Sequence, residues 1–458
     1  LLAAGELSHK LRLGPLEGAK ASLMVRIVMK FGGTSVGDVE RIRRVARIVA
    51  AEYARGEKLA VVVSAMAGET DKLVALAKDA GGALARQAGS GVVGFDDEYD
   101  VIVSTGEQVT TGLLALALRA MGIPARSWQG WQVPLRSDAQ FSKARFDTID
   151  PTAIGAAIDG GEVAIVPGFQ AITSDNRITT PGRGGSDTSA VALAAALGAV
   201  RCDIYTDVDG VYTTDPRIVR YGDDDALPGD KAMRHKARRL VKISYEEMLE
   251  MASLGAKVLQ TRSVELAMAH RVPVRVLSSF VEPGEPNPGT IVCDEEEIVE
   301  KQIVSGVAYS RDEAKVTLLG VADSPGVAAA IFGRLAEASV NVDMIVQSQA
   351  RQEGRQNIVF TCPDRDAPRA RETLEAAQEM IGYEDLQIQR DVAKVSVIGI
   401  GMKSQVGVAR TMFSALAQKG INILVIATSE IKISVLIDAE YTELAVRALH
   451  SAYGLDAV

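Results

Sequence analysis

The chain has 458 residues, 47% hydrophobic and 24% charged, the proportions of a globular protein with room for about three domains. Its net charge of −9 argues against a nucleic-acid partner, whose phosphates reward a basic surface, although a nucleotide needs only local positive charge. Cys202, Cys293 and Cys362 are too far apart for a disulfide framework or a zinc site, which fits a reducing cytosol, and no run of about 18 apolar residues predicts a membrane span.

Residues 1–23 lack the continuous apolar block of a signal peptide and read as an extension, with Met24 opening the compact fold. From there to about residue 280, short β-branched runs alternate with Ala/Leu-rich amphipathic segments. The runs Arg26–Met29, Leu59–Ser64, Ala164–Pro167, Cys202–Thr206 and Val274–Val276 predict strands. Glu40–Tyr53, Gly106–Met121, Thr188–Leu197 and Tyr245–Leu254 predict helices. This alternation predicts an α/β domain with a mainly parallel sheet. The segment 282–290, EPGEPNPGT, reads as a turn-rich connector.

Beyond it the chain repeats itself. Strand, glycine loop, helix, Asn and strand run in order from Val316 and again from Val395. The offset is 79 at these valines (395−316) and 81 (407−326) at Gly326/Gly407, with the same 81 at Phe332/Phe413 and Asn341/Asn422. Each copy reads as the opening of a ferredoxin-like βαββαβ unit.

Three segments carry chemistry. Lys30-Phe31-Gly32-Gly33-Thr34-Ser35 follows the first strand; its glycines let backbone amides approach a polyphosphate, and Lys30 adds charge where phosphoryl transfer needs it. It lacks the spacing of a Walker loop, and alone it is a weak signal, since strand-to-helix turns carry similar residues. Pro181-Gly182-Arg183-Gly184-Gly185-Ser186-Asp187-Thr188-Ser189 opens a helix expected over Ala190–Leu197, with Thr188 or Ser189 as its cap. Glycines beside Arg183 point to a tight bend around a ligand, and arginine favours a carboxylate. Thr206-Asp207-Val208-Asp209-Gly210-Val211-Tyr212 continues to Arg217 from a strand's carboxyl end, where open α/β sheets bind ligands; its Asp spacing does not match an EF-hand.

Together with Ser64–Thr70, Ser104–Gln108 and Gly255–Val258, these segments resemble the aspartate kinase family of the amino-acid kinase superfamily, and the C-terminal repeat is similar to that family's paired ACT domains. The resemblance implies a three-layer αβα sandwich with two ACT units. It implies phosphorylation of L-aspartate by ATP with Mg²⁺, the first step toward lysine, threonine and methionine, under amino-acid control. Lys30, Glu107, Arg183 and Asp187 would be catalytic. Aspartate would be held by Ser64, Ala65, Thr70, Glu107, Phe169, Arg183, Ser186 and Asp187. ATP would meet Lys30, Phe31, Gly32, Gly33, Thr206, Asp207, Tyr212, Arg217, Lys257 and Val258. An effector, lysine or threonine, would contact Asp323, Asn341, Asp343, Gln347, Val408, Asn422, Ser429 and Glu430, in a homo-oligomer formed through the ACT domains. No protein cage for the metal is expected.

The expected domains are an extension 1–23, a catalytic domain 24–281, a linker 282–302 and ACT domains 303–390 and 391–458, with strand 303–309 free to pair with the second. Ala171, Pro181, Gln405 and Ala427 depart from the family pattern, and 220–235 reads as an inserted solvated loop beside the nucleotide site. The chemistry is economical: a carboxylate nucleophile, with an ordinary pKa of about 3.9, needs no general base, and none of the four histidines lies in these motifs. Two alternatives are a glutamate or acetylglutamate kinase and a catalytically silent amino-acid-binding regulator.

Overall fold

A computed structural model describes residues 25–89, 94–219, 236–255, 258–298, 302–350 and 352–456. The expected extension with Met24, the 220–235 insertion and Lys257 lie outside the described residues. The chain divides into two compact units. The first takes the described residues within 25–211, 240–252 and 257–299, and the second those within 212–239, 253–256 and 300–458.

The first unit has strands β1 (Arg26–Phe31), β2 (Lys58–Val63), β3 (Ala125–Ser127), β4 (Leu135–Ser137), β5 (Phe146–Ile149), β6 (Val163–Pro167), β7 (Ala171–Ile172), β8 (Ile178–Thr179), β9 (Arg201–Thr206), β10 (Lys242–Ser244), β11 (Val274–Ser278) and β12 (Thr290–Cys293). Its helices are α1 (Val39–Ala54), α2 (Glu69–Gly81), α3 (Asp96–Val103), α4 (Thr105–Ala120), α5 (Thr152–Asp159), α6 (Gly185–Leu197), α7 (Tyr245–Ser253) and α8 (Thr261–His270). The main sheet runs β10-β12-β11-β9-β1-β2-β6-β3, parallel throughout except where β12 meets β11. A smaller sheet runs β5-β4-β7-β8. Sequence explains the parallel order: β2 (KLAVVV) and β6 (VAIVP) are near-continuous apolar runs, as strands covered on both faces must be. Ile27, Met29 and Phe31 pack one face of β1 against Val45 and Val49 of α1 and the α4 core residues Leu114 and Leu118. The alternate face of β1, carrying Val28 and Lys30, meets α6.

The expected strands lie within two residues of β1, β2, β6, β9 and β11. The helix at the glycine loop differs. It begins at Gly185 rather than Ala190, with Gly184 as N-cap at φ +74°, so neither Thr188 nor Ser189 is a cap. A glycine in the left-handed region already turns the chain into the helix. The two hydroxyls instead donate back to the carbonyls of Gly184 (3.2 Å) and Gly185 (2.8 Å). The segment expected as a linker contributes β12 to the main sheet. Residues Asp96–Ala120 (α3 and α4) are long and apolar enough to cross a membrane by length and composition. Leu114 and Leu118 are nevertheless fully buried in the first unit's core, the place of a core helix.

The second unit contains β13 (Gly306–Ala322), β14 (Asp343–Gln349), β15 (Arg355–Cys362), β16 (Asp385–Ile398), β17 (Val425–Thr428) and β18 (Lys432–Asp438). Its helices are α9 (Val327–Glu337), α10 (Ala367–Ala376), α11 (Gln378–Ile381), α12 (Val408–Gln418) and α13 (Thr442–Ala452). All its strands form one antiparallel sheet, β14-β15-β13-β16-β18-β17. The long β13/β16 pair serves both repeats. Lys315–Leu319 pairs with Asp385–Gln389 to close the first copy, and Gly306–Ser310 pairs with Lys394–Ile398 to complete the second. The final strand of the second ferredoxin-like unit therefore comes from the chain ahead of the first. The repeated glycines, Gly326 (φ +96°) and Gly407 (φ +92°), each open a helix, α9 and α12. Ile218, Val219 and Ala237 pack in the core of the second copy with Val435 and Leu449.

Candidate active site

β1, β2, β6 and β9 end on one edge of the main sheet, and their outgoing loops are tied by backbone hydrogen bonds. Ser64 N–H donates to Phe31 O (3.1 Å), Gly168 N–H to Val63 O (2.9 Å) and Gly32 N–H to Tyr205 O (3.3 Å). Glycine permits closer approach than any side chain. A Cβ on Gly33 would lie 3.0 Å from Ala65 O, one on Gly106 2.8 Å from Ala65 Cβ, and one on Gly168 2.6–2.8 Å from Ser186. A Cβ on Gly185 would strike the rings of Pro181 and Phe169. Through these contacts the loops carrying Lys30, Ser64, Ala65, Glu107, Phe169, Ser186 and Asp187 converge.

Lys30 closes β1 and Asp187 stands in the first turn of α6. Their side chains meet at 2.5 Å with about a tenth of each exposed. Asp187 Oδ1 has no aligned hydrogen bond, so the contact is ionic, an ammonium held against a carboxylate. Glu107, in the first turn of α4, is 3% exposed, and its Oε2 has no hydrogen-bond partner. Burial pushes its carboxyl up to about 7, against the opposing pull of the Ala65 and Glu107 backbone amides and the charge of Lys30. Phe169 sits in the left-handed region at φ +61°, which is strained for a side-chain-bearing residue, and its N–H donates to Ser189 Oγ (3.2 Å). Arg183 is exposed at the tip of the glycine loop. Thr70 lies half-buried in the first turn of α2.

Of the expected nucleotide residues, Phe31 is fully buried and stacked on Tyr205 with ring centroids 4.6 Å apart, so it faces a ligand only through its backbone. Thr206 Oγ1 donates to Asp207 Oδ1 (3.2 Å), and the Thr206 carbonyl accepts from Ser279 N–H (2.9 Å). Val258 is half-buried ahead of α8. Tyr212 and Arg217 fall in the second unit. There Arg217 donates to Asp215 (2.8 Å), which also accepts from Tyr309 OH (3.2 Å).

Among the expected effector residues, Asn341 and Asn422 occupy matching places in the two repeats. Asp323 follows β13, Asn341 precedes β14, Asp343 opens it, and Gln347 is within it, hydrogen-bonded to Gln356. Val408 opens α12, Asn422 precedes β17, and Ser429 and Glu430 form the turn into β18, where Ser429 N–H donates to Lys432 O (2.8 Å). The edge strands β14 and β17 contact each other, and Met344, Val425 and Leu436 share a small core. Asp343 is already engaged: Lys394 Nζ lies 2.7 Å from it and 2.7 Å from the buried Glu313.

A buried acid outside the expected set lies beside the glycine loop. Asp100, on α3, is wholly buried and accepts hydrogen bonds from Ser142 and Thr180, the latter just before the glycine loop. The local signal is the helical spacing Asp100, Ser104, Glu107, which puts three polar residues on one face.

Residues 25–224 match the model of the amino acid kinase family, and residues 316–378 and 395–453 match that of the ACT domain. Fold and site thus define an amino-acid kinase with paired ACT domains. An aspartokinase of Pseudomonas aeruginosa is 50% identical over 436 residues, 95% of this chain and 98% of that one. One of Thermus thermophilus is 44% identical over 434 residues, 94% of this chain and 100% of that one. The chain belongs to the aspartate kinase family. Among solved structures, Escherichia coli aspartokinase III in complex with aspartate and ADP (R-state) aligns with a TM-score of 0.71 at 28% identity, covering 93% of this chain and 99% of that one. The same enzyme in complex with lysine and aspartate (T-state) aligns with a TM-score of 0.67 at 28% identity, covering 93% of this chain and 98% of that one.

Proposed function

We propose that this chain transfers the γ-phosphoryl group of ATP to the side-chain carboxylate of L-aspartate, and that an amino acid bound at the ACT repeats controls the rate. The observation that carries the reading is Glu107, a buried acid with an unpartnered oxygen beside the Lys30–Asp187 pair. A carboxylate held in that environment is costly until a cation arrives, and the ammonium of an amino acid is such a cation. Arg183, exposed on the neighbouring glycine loop, supplies a fork for the α-carboxylate.

Between those anchors the side-chain carboxylate is the free end. One of its oxygens attacks Pγ, the bond from Pγ to the β,γ-bridging oxygen breaks, and ADP leaves with that electron pair. No proton moves, because the nucleophile is ionised at neutral pH. Lys30, aimed by Asp187, offsets charge on the transferring group, while Gly32 and Gly33 admit the phosphates close to the backbone. Among the described residues no cluster of three His, Cys, Asp or Glu side chains could hold a metal ion. Mg²⁺, implied by the family resemblance, would arrive with ATP as part of that substrate and would offset the charge of its phosphates.

For control, Asp343, Gln347, Asn422 and Glu430 supply polar groups at the sheet edges. Ile345 and Ile426, exposed on edge strands β14 and β17, favour a symmetric homo-oligomer through this sheet. ADP release measured with L-aspartate, L-glutamate and N-acetyl-L-glutamate, with and without lysine and threonine, tests the whole reading. Turnover only with aspartate is expected; turnover with another acceptor alone, or with none, would overturn it.

A further inference from the structure

Asp100 stands outside every role assigned above, yet its surroundings are built with care. It is wholly buried on α3, and its two oxygens are sorted by donor type. Oδ2 accepts both backbone N–H groups, from Ser142 and Thr180 at 2.8 Å each. Oδ1 accepts both hydroxyls, from Ser142 at 3.2 Å and Thr180 at 2.7 Å. Burial holds its carboxyl up at about 6 despite these donors.

The two segments it joins are the base of the glycine loop and the loop packed against it. Ala144 N–H donates to Thr180 O (2.9 Å), and a Cβ on Gly182 (φ +75°) would sit 2.9 Å from Ser142 O. Ser142 is itself in the left-handed region at φ +63°. Arg262 adds a second tie, donating to Pro181 O (3.0 Å) and Ala144 O (2.7 Å). The departure Pro181 fits this frame, its ring against Gly185.

We infer that Asp100 is a positioning residue: it fixes the Thr180–Gly185 loop from below, and so sets where Arg183 meets the substrate carboxylate. Asp100 is wholly buried and acts through the loop, and the inference rests on Arg183 as the carboxylate ligand. A small displacement of such an anchor costs reactivity out of proportion to its size.

The sorted oxygens give a sharp test. Asparagine can place its carbonyl where Oδ2 accepts the two backbone N–H groups and its amide where Oδ1 stood, donating to hydroxyls that rotate to accept. Asp100→Asn is therefore expected to keep the aspartate KM within about threefold, whereas Asp100→Ala raises it about tenfold or more with the ATP KM nearly unchanged. A role in stability alone would lower the active fraction, and hence apparent kcat, without moving KM. Should Asp100→Ala not fold, Ser142→Ala/Thr180→Val removes only the hydroxyl donors, and an aspartate KM raised about threefold is expected. An unchanged aspartate KM in whichever of these two folds, or Asp100→Asn as damaging as Asp100→Ala, would overturn the inference. Arg183→Met separates it from its premise. Unchanged aspartate KM there sinks the Arg183 reading, while a raised KM there with none in Asp100→Ala sinks the inference alone.

Discussion

Replacing Glu107 with glutamine should make the free protein more stable and the enzyme much worse. The carboxyl is 3% exposed and its folded-state pKa is raised from 4.5 to about 7, chiefly by burial. A raised folded pKa means that the native state binds more protons than the unfolded chain between those values, so stability falls as pH rises through that window. At about 1.4 kcal/mol per pH unit, the roughly 2.5-unit difference comes to about 3 kcal/mol of destabilisation at pH 8, absent below the unfolded value. Glutamine keeps the shape and an acceptor for the Ala65 amide but never carries the charge. Denaturant unfolding at pH 5 and pH 8 should therefore show a gain approaching about 3 kcal/mol at pH 8 and little at pH 5. The same change removes the anion proposed to face the substrate ammonium. A charge-assisted contact of about 3 kcal/mol corresponds to an aspartate KM raised about 100-fold, with the ATP KM nearly unchanged. A variant less stable than the parent at pH 8, or one that kept its aspartate KM, would refute the reasoning.

The other expectations follow from the same charges. In the unmodified enzyme the aspartate KM should rise as pH falls below about 7, where Glu107 takes up a proton, and steady-state kinetics should show that dependence flattened in Glu107→Gln. Lys30→Met leaves Asp187 buried without its ammonium; kcat should fall about 100-fold or more in the coupled assay while calorimetry still detects aspartate. Lys394→Met strands Glu313, which is buried in the second unit, and should cost about 3 kcal/mol in denaturant unfolding. Adding Glu313→Gln should restore much of that loss.

Much of this was written in the sequence, for identifiable reasons. β2 and β6 announce themselves because strands buried on both faces must be nearly continuously apolar, and the 81-residue offset at Gly326/Gly407 exposes the duplicated unit directly. Lys30 and Asp187 stand in two of the three motifs that carry chemistry, and the fold brings their side chains together. What stayed hidden depends on partners distant in the chain. The strand Thr290–Cys293 lies in a stretch whose composition reads as a connector, and only its pairing with β11 and β10 makes it part of the sheet. The start of α6 was misjudged because a left-handed glycine replaces the side-chain cap that sequence reasoning looks for. The role of Asp100 is not legible locally, since its donors lie 42 and 80 residues away. The completion of the second ferredoxin-like unit by Gly306–Ser310 is likewise a matter of sheet order, which no local pattern encodes.

Transfer of a phosphoryl group to a carboxylate makes an acyl phosphate, and that product is its most direct witness. Incubation with ATP, L-aspartate and hydroxylamine should yield a hydroxamate of aspartate in a one-to-one ratio with ADP, because hydroxylamine captures an acyl phosphate as it forms. Release of ADP without hydroxamate, under conditions where a chemically prepared acyl phosphate is trapped, would rule out aspartate's carboxylate as the acceptor.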